Sequence, residues 1–284
     1  MRIDLHTHSA ASDGADPPAQ LVAAARATEL DVIALTDHDT VDGYAQAADA
    51  VRAGGRPLAL VPGIELSCVV DGISLHMLGY LFDPNFADLV AELDLLRTDR
   101  VRRARAMVDK LVELGAPISW EQVARIAGDG AVGRPHVARA MVESGVVDDV
   151  ASAFVPDWIG SGGRAYVEKY SLTPQRAIEL VKAAGGVTVF AHPAASSRGE
   201  IVSESQIAQF AAAGLDGLEV DHPDHDAAAR AKLREVAKKH GLLVTGSSDY
   251  HGSVKSTPIG AHTTDPAVFD ELVARATGNA VIRA

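Results

Sequence analysis

The segment Met1-Arg-Ile-Asp-Leu-His-Thr-His-Ser9 reads as a short β-strand that ends in two histidines. His6 and His8 are two residues apart, so a strand presents both imidazoles on the same face. Two neutral imidazoles are poor core material, but together they form half of a site for a divalent cation. Asp13 adds a carboxylate in the turn that follows. This segment predicts a metal site if residues of the same kind recur at other strand ends.

The same pattern does recur at strand ends along the chain. The apolar run 31–36 is typical of a buried parallel strand and leads into His38. Two further segments, joined by the hairpin signal Asp71-Gly72, carry Glu65 and His76. Later runs at 187–191 and 242–245 precede the remaining candidates, which are His192, Asp249 and His251. Because α/β barrels place their chemistry at the C-terminal ends of strands, these side chains are expected at one rim.

Seven strand-like runs, mostly alternating with helices, predict a barrel-like α/β fold. The rhythm changes in residues 85–163, where helices follow one another with no convincing strand. We therefore expect residues 1–84 and 164–284 to form a barrel core. Residues 85–163 are expected to form a helical insertion domain that acts as a lid.

Composition disfavours several classes of protein. The formal net charge of −12 argues against a general basic surface for long duplex nucleic acid, but not against a small anionic substrate. No apolar run reaches the roughly 18 residues of a membrane span, and the first strand leaves no room for a signal peptide. The single cysteine, Cys68, excludes an internal disulfide. These features predict a cytoplasmic enzyme that contacts no membrane.

The strand-end motifs, taken in order, resemble those of the PHP (polymerase and histidinol phosphatase) family. They are His6-x-His8, Ser12-Asp13-Gly14, Thr36-Asp37-His38-Asp39, Pro62-Gly63-Ile64-Glu65, His76, Ala191-His192-Pro193 and Ser248-Asp249-Tyr250-His251. One such motif is weak, but the ordered set extends over the whole predicted core and is specific. The resemblance implies a distorted (β/α)7 barrel, similar to a TIM barrel, and a metal-dependent phosphoesterase.

The resemblance also implies three divalent metal ions. One ion would be held by His6, His8, Glu65 and Asp249, a second by Glu65, His76 and His192, and a third by Asp13, His38 and His251. Glu65 would bridge the first two ions. Independently, six imidazoles and three carboxylates suit Mn, Zn or Fe better than Ca, and we expect Mn.

Two acidic residues beside His38 are candidates for a supporting role. Asp37 is expected to assist catalysis by orienting imidazoles. Asp39 is expected either to do the same or to cap the next helix.

Four further residues are candidates for substrate contacts. His222 and His225 follow a strand end, and we expect them to bind substrate, with a catalytic role for His222. Arg134 lies in a Gly-Arg-Pro-His segment that leans over the active site in the resembling subfamily, so we expect it to bind phosphate. The alternative is a plain surface arginine. Lys169, where the chain re-enters the barrel, is expected to bind phosphate too.

The implied activity is hydrolysis of nucleotide phosphomonoesters by metal-activated hydroxide. The expected substrate is a nucleoside 3′,5′-bisphosphate such as pAp, which would lose its 3′-phosphate to give a 5′-monophosphate. Short RNA 5′ ends are a second expected partner. The alternatives are a histidinol-phosphate phosphatase, a 5′–3′ exonuclease on short RNA, and a non-catalytic PHP module. The last is disfavoured because all nine metal positions are filled.

Overall fold

The computed structural model describes residues 1–128, 132–196 and 199–283. Within them, the strands are β1 Ile3–Thr7, β2 Val32–Leu35, β3 Ala59–Val70, β4 Ile73–Tyr80, β5 Val187–Phe190, β6 Gly217–Asp221 and β7 Leu243–Gly246. They form one sheet in chain order, and neighbours are parallel except at β4, which is antiparallel to β3 and β5. Thr7 forms a parallel bridge with Tyr250, just after β7. The sheet is therefore a nearly closed barrel, and the predicted fold class is confirmed.

The side chains of β2 show why this segment forms a buried strand. Val32 and Ala34 belong to an apolar cluster to which nearly every strand contributes, so this cluster fills the barrel interior. Ile33 and Leu35 point the other way. They pack against apolar residues of the first two helices, such as Leu21 and Val51. Both faces are covered, as the uninterrupted apolar run predicts. The strand ends, which carry the candidate metal ligands, are therefore anchored in the apolar core.

The helices follow in chain order. They are α1 Pro18–Ala27, α2 Tyr44–Arg52, α3 Ala87–Glu113, α4 Trp120–Ala127, α5 Arg134–Glu143, α6 Pro174–Ala183, α7 Glu204–Ala212, α8 Ala227–His240 and α9 Pro266–Arg275. Local capping explains several of the starts: the Thr173 hydroxyl accepts a hydrogen bond at α6, and Ser203 and Gln206 form a capping box at α7. Among the described residues, no helix is both long and apolar enough to cross a membrane.

The chain divides into two compact units. The first contains Met1–Val90 and Ser171–Ala284, and the second contains Ala91–Tyr170. The second unit is helical and has its own apolar core, in which Val108, Val123 and Met141 are fully or almost fully buried. The predicted insertion, residues 85–163, overlaps this unit, and its role as a lid stays a prediction.

Candidate metal centre

All nine predicted metal ligands lie in the first unit, within or just after its strands. His6 lies in β1, Glu65 in β3 and His76 in β4, while His8 and Asp13 follow β1, His38 follows β2, His192 follows β5, and Asp249 and His251 follow β7. Eight of them fall into three groups in which the potential ligand atoms lie within 4.8 Å of one another. His192 adjoins these groups, because its Nε2 lies 3.1 Å from Glu65 Oε1. The barrel therefore gathers residues that are far apart in sequence.

Glu65 lies at the centre of this cluster, and its side chain is only 1% exposed. Its Oε2 lies 3.1 Å from Nε2 of His6, 3.1 Å from Nε2 of His8 and 3.3 Å from Nε2 of His38, and its Oε1 lies 2.8 Å from Nδ1 of His76 and 3.1 Å from Nε2 of His192. The two carboxylate oxygens thus face two different sets of imidazoles. This is the geometry needed by a carboxylate that bridges two cations.

The three groups differ slightly from the predicted ligand sets. The first contains His6, His8, Glu65 and Asp249, the second His38, Glu65 and His76, and the third His8, Asp13, His38 and His251. His38 therefore belongs to two groups, and its Nε2 lies 3.3 Å from Glu65 and 3.7 Å from Asp13. The ring of His8 also faces both ways, because its Nδ1 lies 3.5 Å from Asp13.

Ring nitrogens without a hydrogen bond show that the cluster suits cations. Among the described residues, the Nδ1 atoms of His8, His38 and His76 are buried and form no hydrogen bond, although those of His8 and His76 face the carboxylates of Asp13 and Glu65. The Nε2 atoms of His6 and His8 lie only 3.0 Å apart. Buried polar atoms of this kind are costly without partners, and a shared divalent cation would satisfy several lone pairs at once. The residues present therefore fit divalent metal ions.

Burial and the carboxylates act in opposite directions on the pKa values of the histidines. Burial lowers the pKa of His6 and His8, but the carboxylates outweigh it, so the pKa of His6 is well above its ordinary value and that of His8 is about 9. For His38, burial and two neighbouring imidazoles win, and the pKa falls to about 4. The imidazoles hold the pKa of Glu65 and Asp249 well below the ordinary range despite burial.

Two buried carboxylates that the sequence reasoning missed accept hydrogen bonds from the candidate ligands or from residues next to them. Glu219 is fully buried; it accepts hydrogen bonds from Nδ1 of His6 at 2.9 Å, from the backbone N–H of His192 at 2.8 Å and from the Ser247 hydroxyl. Asp4 is also fully buried and accepts from the backbone of Ser248 at 3.0 Å. The available signal was an acidic residue between two apolar residues of a strand, where a buried charge needs partners.

Asp249 is held on both sides. Its Oδ1 lies 3.4 Å from Nε2 of His6, and its Oδ2 accepts a hydrogen bond from the Lys255 ammonium at 2.7 Å. Its backbone φ of +52°, like the +31° of His192, is in the left-handed region that non-glycine residues rarely adopt. Such strain persists where surrounding structure enforces it, and it clusters at functional sites.

The two acidic neighbours of His38 both organise loops. Asp37 accepts hydrogen bonds from the backbone and hydroxyl of Ser9 at 2.8 and 2.7 Å, and from the Ser12 hydroxyl at 2.6 Å. It thereby holds the turn that carries Asp13, and a direct catalytic role stays a prediction. Asp39 accepts from the backbone and hydroxyl of Ser67, both at 2.8 Å. The helix-capping alternative for Asp39 is wrong, because Gly43 is the cap residue of α2.

The two histidines after β6 have different environments. His222 is buried, and its Nδ1 accepts a hydrogen bond from the Asp224 backbone at 3.0 Å, which places the ring proton on Nε2. That Nε2 lies 3.6 Å from Asp249 and forms no hydrogen bond with any described residue. His225 uses both nitrogens: Nδ1 donates to the Val220 carbonyl at 2.9 Å, and Nε2 accepts from the Ala194 backbone at 3.1 Å. This geometry favours His222 and argues against His225 as a substrate ligand.

The two predicted phosphate-binding cations lie in the second unit. The Arg134 guanidinium stacks 5.4 Å from the ring centre of Phe154 and 5.8 Å from that of Tyr166. No carboxylate lies within 4 Å of Arg134 among the residues that the structure describes. Lys169 is exposed. Their roles in phosphate binding stay predictions.

Comparisons with known proteins agree with this geometry. Residues 4–81 match the model of the PHP domain. The 3′,5′-nucleoside bisphosphate phosphatase of Chromobacterium violaceum is 35% identical over 266 residues, which cover 93% of this chain and 92% of that protein. The chain belongs to the PHP family. The 5′–3′ exoribonuclease of Haemophilus influenzae is 34% identical over 250 residues, covering 88% of this chain and 90% of that protein.

A solved structure supports the same conclusion for this PHP chain. A protein of Bifidobacterium adolescentis, assigned as a metal-dependent phosphoesterase, superposes with a TM-score of 0.77 at 35% identity, covering 97% of this chain and 96% of that one. The chain is thus a hydrolase of the metal-dependent phosphoesterase type, and divalent metal ions are supported as its cofactors. A divalent metal in such a site offsets charge on a phosphate and makes hydroxide available near neutral pH.

Metal binding to the PHP centre should release protons and strengthen as pH rises from 7 to 9. In the metal-free protein the raised pKa values keep His6 and His8 protonated at pH 7, whereas a ligand nitrogen must be unprotonated. Protons therefore compete with the metal until the pH passes the His8 value of about 9. Titration calorimetry with Mn in two buffers of different ionisation enthalpy measures the protons released. An affinity that is flat across this range, with no proton release, would contradict the prediction.

Proposed function

We propose that this PHP enzyme removes the 3′-phosphate of nucleoside 3′,5′-bisphosphates and leaves a 5′-monophosphate. The observation that carries the proposal is a cluster of three adjoining ligand groups, two of which contain Glu65, beside the buried Nε2 of His222, which forms no hydrogen bond with any described residue. The 35% identity to a protein named for this activity supports the substrate class. A small phosphorylated nucleotide is accordingly the proposed partner, and the cytoplasmic location stays a prediction.

We assign up to three divalent ions to the centre, with Mn as the preferred metal. Glu65, His8 and His38 each belong to two of the three groups, so the ions would be close neighbours. Mixed imidazole and carboxylate ligands suit Mn, Zn or Fe, whereas Ca prefers oxygen ligands alone. The carboxylates of Asp13, Glu65 and Asp249 would offset part of the positive charge of the ions.

Different side chains are proposed to have different roles in binding a phosphate ester. Glu219 fixes the ring of His6 through Nδ1, which directs Nε2 towards Glu65 and Asp249. Because its proton lies on Nε2, His222 can donate a hydrogen bond to a phosphate oxygen or to the leaving oxygen. Arg134 and Lys169 are proposed to hold the phosphate that does not react.

The deciding experiment compares kcat/KM for pAp, 3′-AMP, 5′-AMP and histidinol phosphate on one Mn-loaded preparation. We expect pAp to exceed both monophosphates by about tenfold to a hundredfold, since one charge-assisted contact is worth roughly 1.5–3 kcal/mol. The reason is that a remote phosphate positions the reacting one. The proposal fails if histidinol phosphate is the best substrate, or if pAp is no better than the monophosphates.

The matched variants for this comparison are Arg134→Ala and Arg125→Ala. Both arginines lie in the second unit, but Arg125 is paired with Glu143 at 2.6 Å on the surface. Arg134→Ala should shrink the preference for pAp while metal content stays unchanged, and Arg125→Ala should leave the preference as it is. Equal behaviour of the two variants would show that Arg134 is a surface arginine.

A second candidate function is 5′–3′ hydrolysis of short RNA. It is favoured by the 34% identity to the Haemophilus influenzae protein of that name. A 5′-phosphorylated trinucleotide tests it on the same preparation. Release of 5′-mononucleotides at a rate comparable to pAp turnover would establish both activities in one centre.

A further inference from the structure

A cavity of about 170 Å³ lies beside the metal centre in the first unit, and nothing so far assigns it. His76 and His192, whose ring nitrogens also face Glu65, form part of its wall. A cavity of roughly 150 Å³ can hold one benzene ring, so this one has room for a single planar ring system. Its position places any occupant next to the proposed site of phosphate hydrolysis.

The rest of the lining is mainly apolar. Leu75, Phe190, Ala195 and Val202 are buried lining residues, and Ile201 is 46% exposed at its edge. Apolar walls disfavour a charged phosphate and favour a ring that is weakly hydrated on its faces. A ring that covered the exposed side chain of Ile201 would also gain binding free energy, since burial of apolar surface is favourable.

Polar groups occur in the same lining. Ser74 and Glu200 are exposed residues of the cavity wall, and they offer a hydroxyl and a carboxylate. A planar ring with apolar faces and hydrogen-bonding edges matches this distribution, whereas a plain hydrocarbon would leave these groups unused.

We propose that this cavity is the subsite for the nucleobase of the substrate. The inference rests on the proposed nucleotide substrate and adds where its base is bound. Because two imidazoles belong both to the cavity wall and to the metal centre, a base in the cavity would be joined through its sugar to a phosphate at the metals. The subsite would then contribute binding energy that positions the ester.

The test compares adenosine 3′,5′-bisphosphate with ribose 3,5-bisphosphate, which lacks the base. For the wild-type enzyme we expect kcat/KM to be roughly tenfold to a hundredfold higher with the base, the range for stacking one base in a protein site. Ala195→Leu fills the cavity and should reduce this ratio to about threefold or less. Ile201→Ser changes an exposed side chain, so it tests the same contact without a threat to folding, and the ratio should fall too. Val112→Ser, at a 51% exposed valine of the second unit, is the matched control and should keep the wild-type ratio.

A binding measurement separates this inference from the proposed function. Adenosine should perturb the NMR signals of the metal-free wild-type protein at millimolar concentration, and Ala195→Leu should weaken that binding at least severalfold. If neither bisphosphate is hydrolysed, the proposed function fails, and adenosine binding still decides about the cavity. A wild-type ratio near one, or a ratio and adenosine affinity that neither Ala195→Leu nor Ile201→Ser changes, would overturn the subsite.

Discussion

Replacing Glu65 with glutamine should lower phosphate-ester turnover by about a thousandfold, the largest effect of any single substitution in the molecule. Metal Lewis-acid stabilisation is worth several kcal/mol, and each 1.4 kcal/mol is a tenfold change in rate. Both oxygens of Glu65 face ligand nitrogens, at 2.8 to 3.3 Å. Glutamine keeps the shape but removes the charge and puts an NH2 group where one lone pair was needed.

The measurements are kcat/KM for pAp and the metal content of protein prepared without chelators. Glu204→Gln is the matched control, because Glu204 is paired with Lys239 at 2.7 Å on the surface, away from the ligand set. We expect the control to keep wild-type activity and metal content. If Glu65→Gln keeps more than a tenth of the activity at unchanged metal content, Glu65 does not bridge the ions.

The clustering of the candidate ligands could be predicted because a strand end is a local feature. His38 and His192 each follow an apolar run that is recognisable without knowledge of its neighbours. The parallel barrel then places such ends at one rim, so local patterns suffice to bring distant residues together. The hairpin residues Glu65 and His76 could be placed for a similar reason, since Asp71-Gly72 signals their antiparallel pairing.

The division of ligands among the groups could not be predicted, because it depends on side-chain directions across the barrel. His38 lies near both Glu65 and Asp13, a fact that no spacing in the sequence contains. The same holds for His225, whose two nitrogens are taken up by backbone groups that only the folded loop supplies. A histidine after a strand end has the same local sequence pattern whether it binds a metal or forms hydrogen bonds with the backbone.

The supporting carboxylates were missed for a different reason. Glu219 lies inside a strand rather than at its end, with its backbone neighbours Leu218 and Val220 fully buried. Its partners are His6, 213 residues away, and Ser247, 28 residues away. A buried charge in a strand interior is in itself a sign that partners exist, although the sequence does not say which.

Glu219→Ala should weaken both the fold and the metal centre, even though Glu219 is not expected to ligate a metal. Removing one partner of a buried charged contact costs about 3–5 kcal/mol of unfolding free energy. The substitution leaves Nδ1 of His6, the backbone N–H of His192 and the Ser247 hydroxyl without their acceptor. Loss of a group that orients a ligand typically lowers metal affinity or activity by about 10–100-fold.

Ser247→Ala provides the comparison that separates orientation of His6 from general stability. It removes one neutral donor from the same carboxylate and should cost only about 1 kcal/mol. Urea unfolding of the metal-free proteins gives the stability change, and Mn titration at a temperature where every variant is folded gives the affinity. We expect Glu219→Ala to lose metal affinity beyond what Ser247→Ala loses, because only Glu219→Ala releases the ring of His6. Equal metal affinity in the two variants would mean that Glu219 stabilises the barrel without directing Nε2 of His6 towards the metals.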